Sequence, residues 1–227
     1  MRVDTSEFAS PWDSATLYRY GSYAAAFAFL LLLGMLGVSL ATGVDQHPFE
    51  IIRDLSQFEA DLLSSATPLR WVLTLDMLFA ASYTVSFVVL AIACFHESHR
   101  FLGYCALSAM LATAVLDLHE NHDILAMLET VEAGRHLGFE QVKDRAVLSQ
   151  LKFHLSYLAL VIFGLLLPER TWLEKTLRWS LIFVQMPLGV LVYTFPHDYL
   201  VLARYIFFLG GMGMLASIFW QRHRSLR

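Results

Sequence analysis

The run Ala24-Ala-Ala-Phe-Ala-Phe-Leu-Leu-Leu-Leu33 lies inside a stretch, Tyr20–Thr42, that holds no charged residue. A chain in hydrocarbon has no water to satisfy its backbone, so such a stretch must be a helix, and about 20 apolar residues cross about 30 Å of hydrocarbon. Five further runs follow: about Trp71–Phe95, Phe101–Leu118, Leu151–Leu167, Trp179–Phe195 and Tyr199–Trp220. The spacing predicts an all-α, polytopic membrane protein, a bundle of six transmembrane helices. Composition agrees: 57% of residues are hydrophobic and only 16% charged, where soluble domains carry about a quarter. A net charge of −4 argues against nucleic acid as a partner, because nucleic acid selects basic surfaces. Cys94 and Cys105 both fall inside apolar runs and read as small core residues, not as a zinc or disulfide framework.

Residues 1–19 form a polar lead. Asp4, Glu7 and Asp13 deny it the basic start of a cleavable signal, so the first span is expected to remain as an anchor. Trp12, Tyr18, Tyr20 and Tyr23 suit the membrane interface. Gly34 and Gly37 are small enough to admit a close helix neighbour. The connector 43–70 is too polar to span. Within it Ile51, Ile52, Leu55, Phe58, Leu62 and Leu63 recur at helical spacing, and Glu50, Arg53, Asp54, Gln57 and Asp61 take the other side. This predicts an interfacial amphipathic helix at about 49–63, as a packed surface helix or as a lid over an embedded cavity. Residues 129–150 read as a charged connector, though the third span can continue helically through Leu128. Pro187 predicts a kink in the fifth span. The single transmembrane domain occupies 20–220, and 221–227 is a basic tail.

Six spans put both termini on one side, together with the turns at 96–100 and 168–178. When each charge is assigned to its nearer side, the termini side takes nine Lys/Arg and six Asp/Glu, and the opposite side seven and fourteen. Lys and Arg counts set orientation, so the termini are expected to be cytoplasmic.

The ionisable groups inside the spans share one layer, at the end away from the termini. Asp117, Glu120 and Asn121 stand at i, i+3 and i+4 on one helical face. Asp76 and Tyr83 form a face on the second span, and Lys152 and Ser156 one on the fourth. Arg204 lies just inside the sixth. Charged groups inside membranes face the bundle interior or a water-filled cavity, so one polar pocket opening away from the cytoplasm is expected.

Three readings of this layer stand side by side. The first is a purely structural network, with Lys152 paired to Asp117 or Glu120 and Arg204 to Asp76. The second is a divalent metal site such as zinc, using His119, His122, Asp123 and His154. His119-Glu120-Asn121-His122 is one residue short of the His-Glu-x-x-His zinc form. The third is acid–base chemistry: Asp117 or Glu120 would act as acid or base beside Lys152, with Asp76 in support. Asn121, Tyr83, Ser156 and Arg204 would then bind substrate. His197-Asp198 offers a further His–Asp pair or an ordinary turn.

These readings favour a lipid-phase enzyme or lipid-binding protein, with membrane lipids as partners. A small proton-coupled transporter or a non-catalytic subunit of a larger membrane complex uses the same residues, and a homo-oligomer is compatible with all of them. Arg70 with Asp76 and Tyr83, then Asp117-x-x-Glu120-Asn121, then Lys152, resembles small bacterial inner-membrane proteins. The pattern covers spans two to four. The resemblance implies a place in the bacterial inner membrane and no particular activity. Resemblance to the alkaline-ceramidase and progestin-receptor-like hydrolases is low: the last span lacks their His-x-x-x-His, and six spans are read where they have seven.

Overall fold

The computed structural model describes residues 13–94, 99–195 and 197–227. Trp12 and the lead before it, most of the 96–100 turn, and Pro196 lie outside the described residues. Every regular element among the described residues is a helix: α1 (Ser14–Thr42), α2 (Leu55–Ser64), α3 (Ala66–Cys94), α4 (Arg100–Glu132), α5 (Phe139–Leu166), α6 (Trp172–Phe183), α7 (Gln185–Thr194) and α8 (Asp198–Ser225), with one 3₁₀ turn at His47–Phe49. Six segments are long and apolar enough to cross a membrane, α6 and α7 together making the fifth. Their sides are mostly apolar on every face, as hydrocarbon surroundings require. Leu40, Phe101, Val115 and Tyr199 are among the large side chains left exposed.

The six spans form a ring. α1 packs against α3, α3 against α4, α4 against α5, α5 against α6 and α7, these against α8, and α8 against α1. The ends of the chain meet: His223 Nδ1 lies 2.8 Å from the Ala15 carbonyl oxygen, and the Ser22 hydroxyl donates to the Ala216 carbonyl. Among the described residues Gly21, Gly164 and Gly189 permit close approaches. A Cβ at Gly21 would stand 2.7 Å from Val89, and one at Gly189 would stand 2.0 Å from the Tyr157 ring. The expected small-residue contacts at Gly34 and Gly37 are looser. A Cβ at Gly34 would meet Leu75 at an ordinary 3.5 Å, and one at Gly37 nothing within 4 Å.

Several boundaries differ from the spacing-based expectation. α2 begins at Leu55, not near 49, because the Asp54 carboxylate caps it by accepting from the Gln57 N–H. Phe58 and Leu62 of α2 are fully buried against Ile124, Leu128 and Leu73, a small satellite core. α4 runs on to Glu132 and α5 starts at Phe139, so the charged connector shrinks to Ala133–Gly138. Polar residues of this stretch find partners: Lys143 pairs with Glu140, Glu132 with Arg70 and Arg145 with Glu120. The break near Pro187 falls at Val184, between α6 and α7. Pro187 has no N–H to give the Phe183 carbonyl, and α6 ends at Phe183.

Candidate functional site

The polar layer is gathered from five parts of the chain. Asp76 and Tyr83 come from α3, Asp117, Glu120 and Asn121 from α4, Arg145 and Lys152 from α5, and Arg204 from α8. Gln46 and Glu50 come from the strap between α1 and α2. Glu120, Asn121, Arg145 and Lys152 are all under 5% exposed.

Lys152 is the hub. Its Nζ lies 2.8 Å from Asp117 Oδ1, bonds Glu120 Oε2, and is 3.9 Å from Glu50 Oε1. Tyr83 donates to Asp117 Oδ2 at 3.2 Å. Arg145 Nη1 reaches Glu120 Oε1 at 3.4 Å and its guanidinium stacks over Phe58. The Asn121 amide donates to Asp76 Oδ2 at 2.7 Å and accepts from Gln46 at 2.9 Å. Arg204 does not pair with Asp76 as one reading expected. Its Nη2 is 3.6 Å from Glu50 Oε2, and the guanidinium lies 4.4 Å above Phe153. Partners in hydrocarbon are obligatory, because an isolated buried charge costs several kcal/mol.

Glu50 was expected on the solvent side of an amphipathic helix. It is 5% exposed and inserted into the bundle, because the 3₁₀ turn at His47-Pro48-Phe49 folds the strap inward. Burial pushes its carboxyl up, but the His47 ring at 3.4 Å, Lys152 and Arg204 outweigh this and hold it well below the usual carboxylate range. Desolvation at the crowded mouth raises the Asp45 carboxyl, which a backbone N–H from His47 opposes.

A cavity of about 400 Å³ runs through the middle of the ring. Its walls are mainly apolar: Leu32 and Met35, Phe87 and Leu90, Met110, Leu160, Leu181 and Leu215. Asp76, Asp117, Lys152, Arg204 and Glu50 line one end. A second, more polar recess continues from that end to the surface beneath the strap, and the two share Asp45, His47, Pro48, Asp198 and Val201. Ser156 lines the cavity one turn beyond Lys152, but its hydroxyl is bonded to the Phe153 carbonyl.

The candidate metal ligands are not brought together. Among the described residues no group of three or more His, Cys, Asp or Glu side chains is placed to hold a metal ion. His119 and His122 sit on the outer face of α4: the first contacts Asp123 at 3.1 Å, one turn on, and the second the Leu118 carbonyl. His154 likewise faces outward and contacts the Gln150 carbonyl. The inward face of α4 is Asp117, Glu120 and Asn121, so a helix that presents these cannot also present the histidines. His197 is the N-cap of α8, its Nδ1 accepting from the Tyr199 N–H.

Sequence reasoning missed Glu50, Arg145, Gln46 and Gln185. Arg145 carried a usable signal, since Arg145, Ser149, Lys152 and Ser156 form one continuous polar stripe at i, i+4, i+7 and i+11. Nothing in the sequence announces the inward turn of Glu50.

No family model matches this chain, and no curated protein or solved structure is significantly similar to it.

Proposed function

We propose that this integral membrane protein binds a single-chain lipid amphiphile, with the chain in the central cavity and the head at the polar layer. The observation that carries this reading is the cavity's two-part lining: one long apolar barrel capped by charged groups at a single end. Ligand sites are concave, mostly apolar and furnished with a few convergent polar groups, and this volume lies within their usual range of about 300–1,000 Å³. The recess beneath the strap gives the head a polar route from the surface.

The layer divides into two parts under this reading. Lys152, Asp117, Glu120 and Arg145 brace α4 against α5, and this part is the structural network. Asp76, Arg204 and the strap face the ligand. The acid–base reading is weaker for Asp117 and Glu120, because both carboxylates are already engaged by Lys152.

Lipid analysis of the gently extracted protein tests the proposal. A Cβ at Gly211 meets no atom within 4 Å, and this glycine lines the cavity, so a side chain there starts in open space and Gly211→Leu takes up cavity volume. One amphiphile class should be enriched over the surrounding membrane in the wild type and fall by about tenfold in Gly211→Leu. A lipid profile equal to the bulk membrane in both proteins overturns it.

A further inference from the structure

We infer that the head group this cavity takes is a cation, a protonated amine, seated against Asp76. The inference rests on the amphiphile reading and adds the chemical class of the head.

Charge balance comes first. The buried layer holds four carboxylates, Glu50, Asp76, Asp117 and Glu120, against three cations, Arg145, Lys152 and Arg204. Lys152 serves Asp117 and Glu120, Arg145 serves Glu120, and Arg204 serves Glu50. Asp76 is the acid left over. It is 9% exposed and lines the cavity, and among the described residues its hydrogen-bond partner is the neutral amide of Asn121. A carboxyl in that position is balanced either by a proton of its own or by one positive charge from a ligand.

A second, independent observation points to a donor. Gln185, 2% exposed and lining the same cavity, has its Oε1 buried with no hydrogen-bond partner. A buried acceptor without a donor is expensive, and an ammonium or hydroxyl hydrogen supplies one. Arg204 Nη1 is the converse, a buried N–H without an acceptor.

The walls and the entrance fit a cation as well. Phe79 and Tyr83 stand one and two turns along α3 from Asp76, their rings edge to face at 5.1 Å, and both line the cavity. Aromatic faces attract ammonium groups, most strongly when desolvated. Asp45 and Asp198 line both the cavity and the recess that leads to it. Arg53, which lines the recess, is paired with Asp61 at 2.9 Å. A route lined by one sign of charge raises the local concentration of the opposite sign. A phosphate or carboxylate head would find only the Arg204 Nη1 that Glu50 leaves over, Lys152 being engaged by Asp117 and Glu120, and would add a further negative charge to a layer already in excess.

Native mass spectrometry of the full-length protein in a neutral detergent decides the matter. The probes are hexadecylamine, hexadecanol and hexadecanoic acid, titrated against wild type, Asp76→Asn, Asp76→Glu and Gly211→Leu. The wild type should bind the amine about tenfold or more tighter than the alcohol or the acid. Asp76→Asn should reduce the amine to the level of the alcohol and leave the alcohol unchanged, Asp76→Glu should keep the preference, and Gly211→Leu should weaken all three. If the alcohol or the acid binds as tightly as the amine in the wild type, the head assignment is overturned. That result also identifies Asp76 as balanced by a proton, while sensitivity to Gly211→Leu keeps the amphiphile reading. If no probe binds, or if Gly211→Leu changes nothing, the amphiphile reading falls and this inference with it. The wild-type comparison of heads decides the class even should Asp76→Asn fail to fold.

Discussion

Two buried carboxylates at opposite ends of the bundle show how differently the same group can be housed. Glu174, 1% exposed, lies at the end that carries the termini. Its oxygens accept from the N–H groups of Arg170 and Thr171 and from Arg222, and Thr171 returns a bond to the Glu174 N–H in a capping box. Most of those partners lie within four residues. It lines neither the central cavity nor the recess beneath the strap. Glu120, 2% exposed, is held by Lys152 and Arg145 from another helix, and its neighbour Asp117 reaches the cavity wall. A charge satisfied by its own turn stabilises a helix end. A charge satisfied only by distant segments fixes how helices meet, and leaves room for an imbalance such as the one at Asp76.

The largest effect should come from removing the hub. Lys152→Met leaves three carboxylates facing one another and should lower stability by about 3–5 kcal/mol in detergent unfolding. Adding Asp117→Asn to it should restore a large part of that loss. A Lys152→Met protein as stable as wild type would break the distinction, because the layer would then not be what joins α4 to α5. Glu174→Gln should cost less, about 1–3 kcal/mol, because it removes hydrogen bonds and one arginine contact at a partly open edge. Amphiphile binding should be untouched by it. A parallel loss of binding would show that the two ends are not independent.

The smallest effect belongs to an acid outside both clusters. Glu59 of α2 accepts from the Leu137 N–H at 2.6 Å and meets His136 at 3.0 Å, which ties the loop 133–138 to α2. The Leu137 N–H, then His136, hold its carboxyl below the usual value. Because the folded value is lower than the unfolded one, this stabilisation is complete above the ordinary carboxylate range and fades as pH falls through the lowered value. The melting temperatures of wild type and Glu59→Gln should therefore differ by a constant amount near neutral pH and converge in acid. Curves that stay parallel into acid would remove the assignment.

The sequence displays the spans openly because hydrocarbon selects residue type at nearly every position. The layer of Asp76, Asp117, Glu120, Asn121 and Lys152 was legible for the same reason: polar groups stand out in an apolar run. What lay outside the runs was harder. Arg145 looked like part of a loop because charge was taken to end the helix, whereas its pairing with Glu120 lets α5 continue. Glu50 sat in a convincing amphipathic pattern, but Asp54 starts the helix after it and the 3₁₀ turn redirects it. His119 and His122 drew attention by residue type, although helical geometry turns them away from the face that carries Asp117 and Glu120. Of these only the inward turn of Glu50 left no local trace; Arg145 stood on a polar stripe with Ser149, Lys152 and Ser156, and the helical spacing already set the histidines apart from Asp117 and Glu120.

The interruption at Val184 gives the ring an uneven stiffness. In α3 and α4 successive turns are tied together by backbone hydrogen bonds along the whole length, like staves without a joint. In the fifth span one tie is missing at mid-height, because Pro187 cannot bond back to Phe183. Bending there breaks no existing backbone bond, so the wall beside Gln185 is the compliant part of the barrel. Under the proposed amphiphile reading, the girth of a chain is accommodated at that joint, and the straight staves opposite set its length.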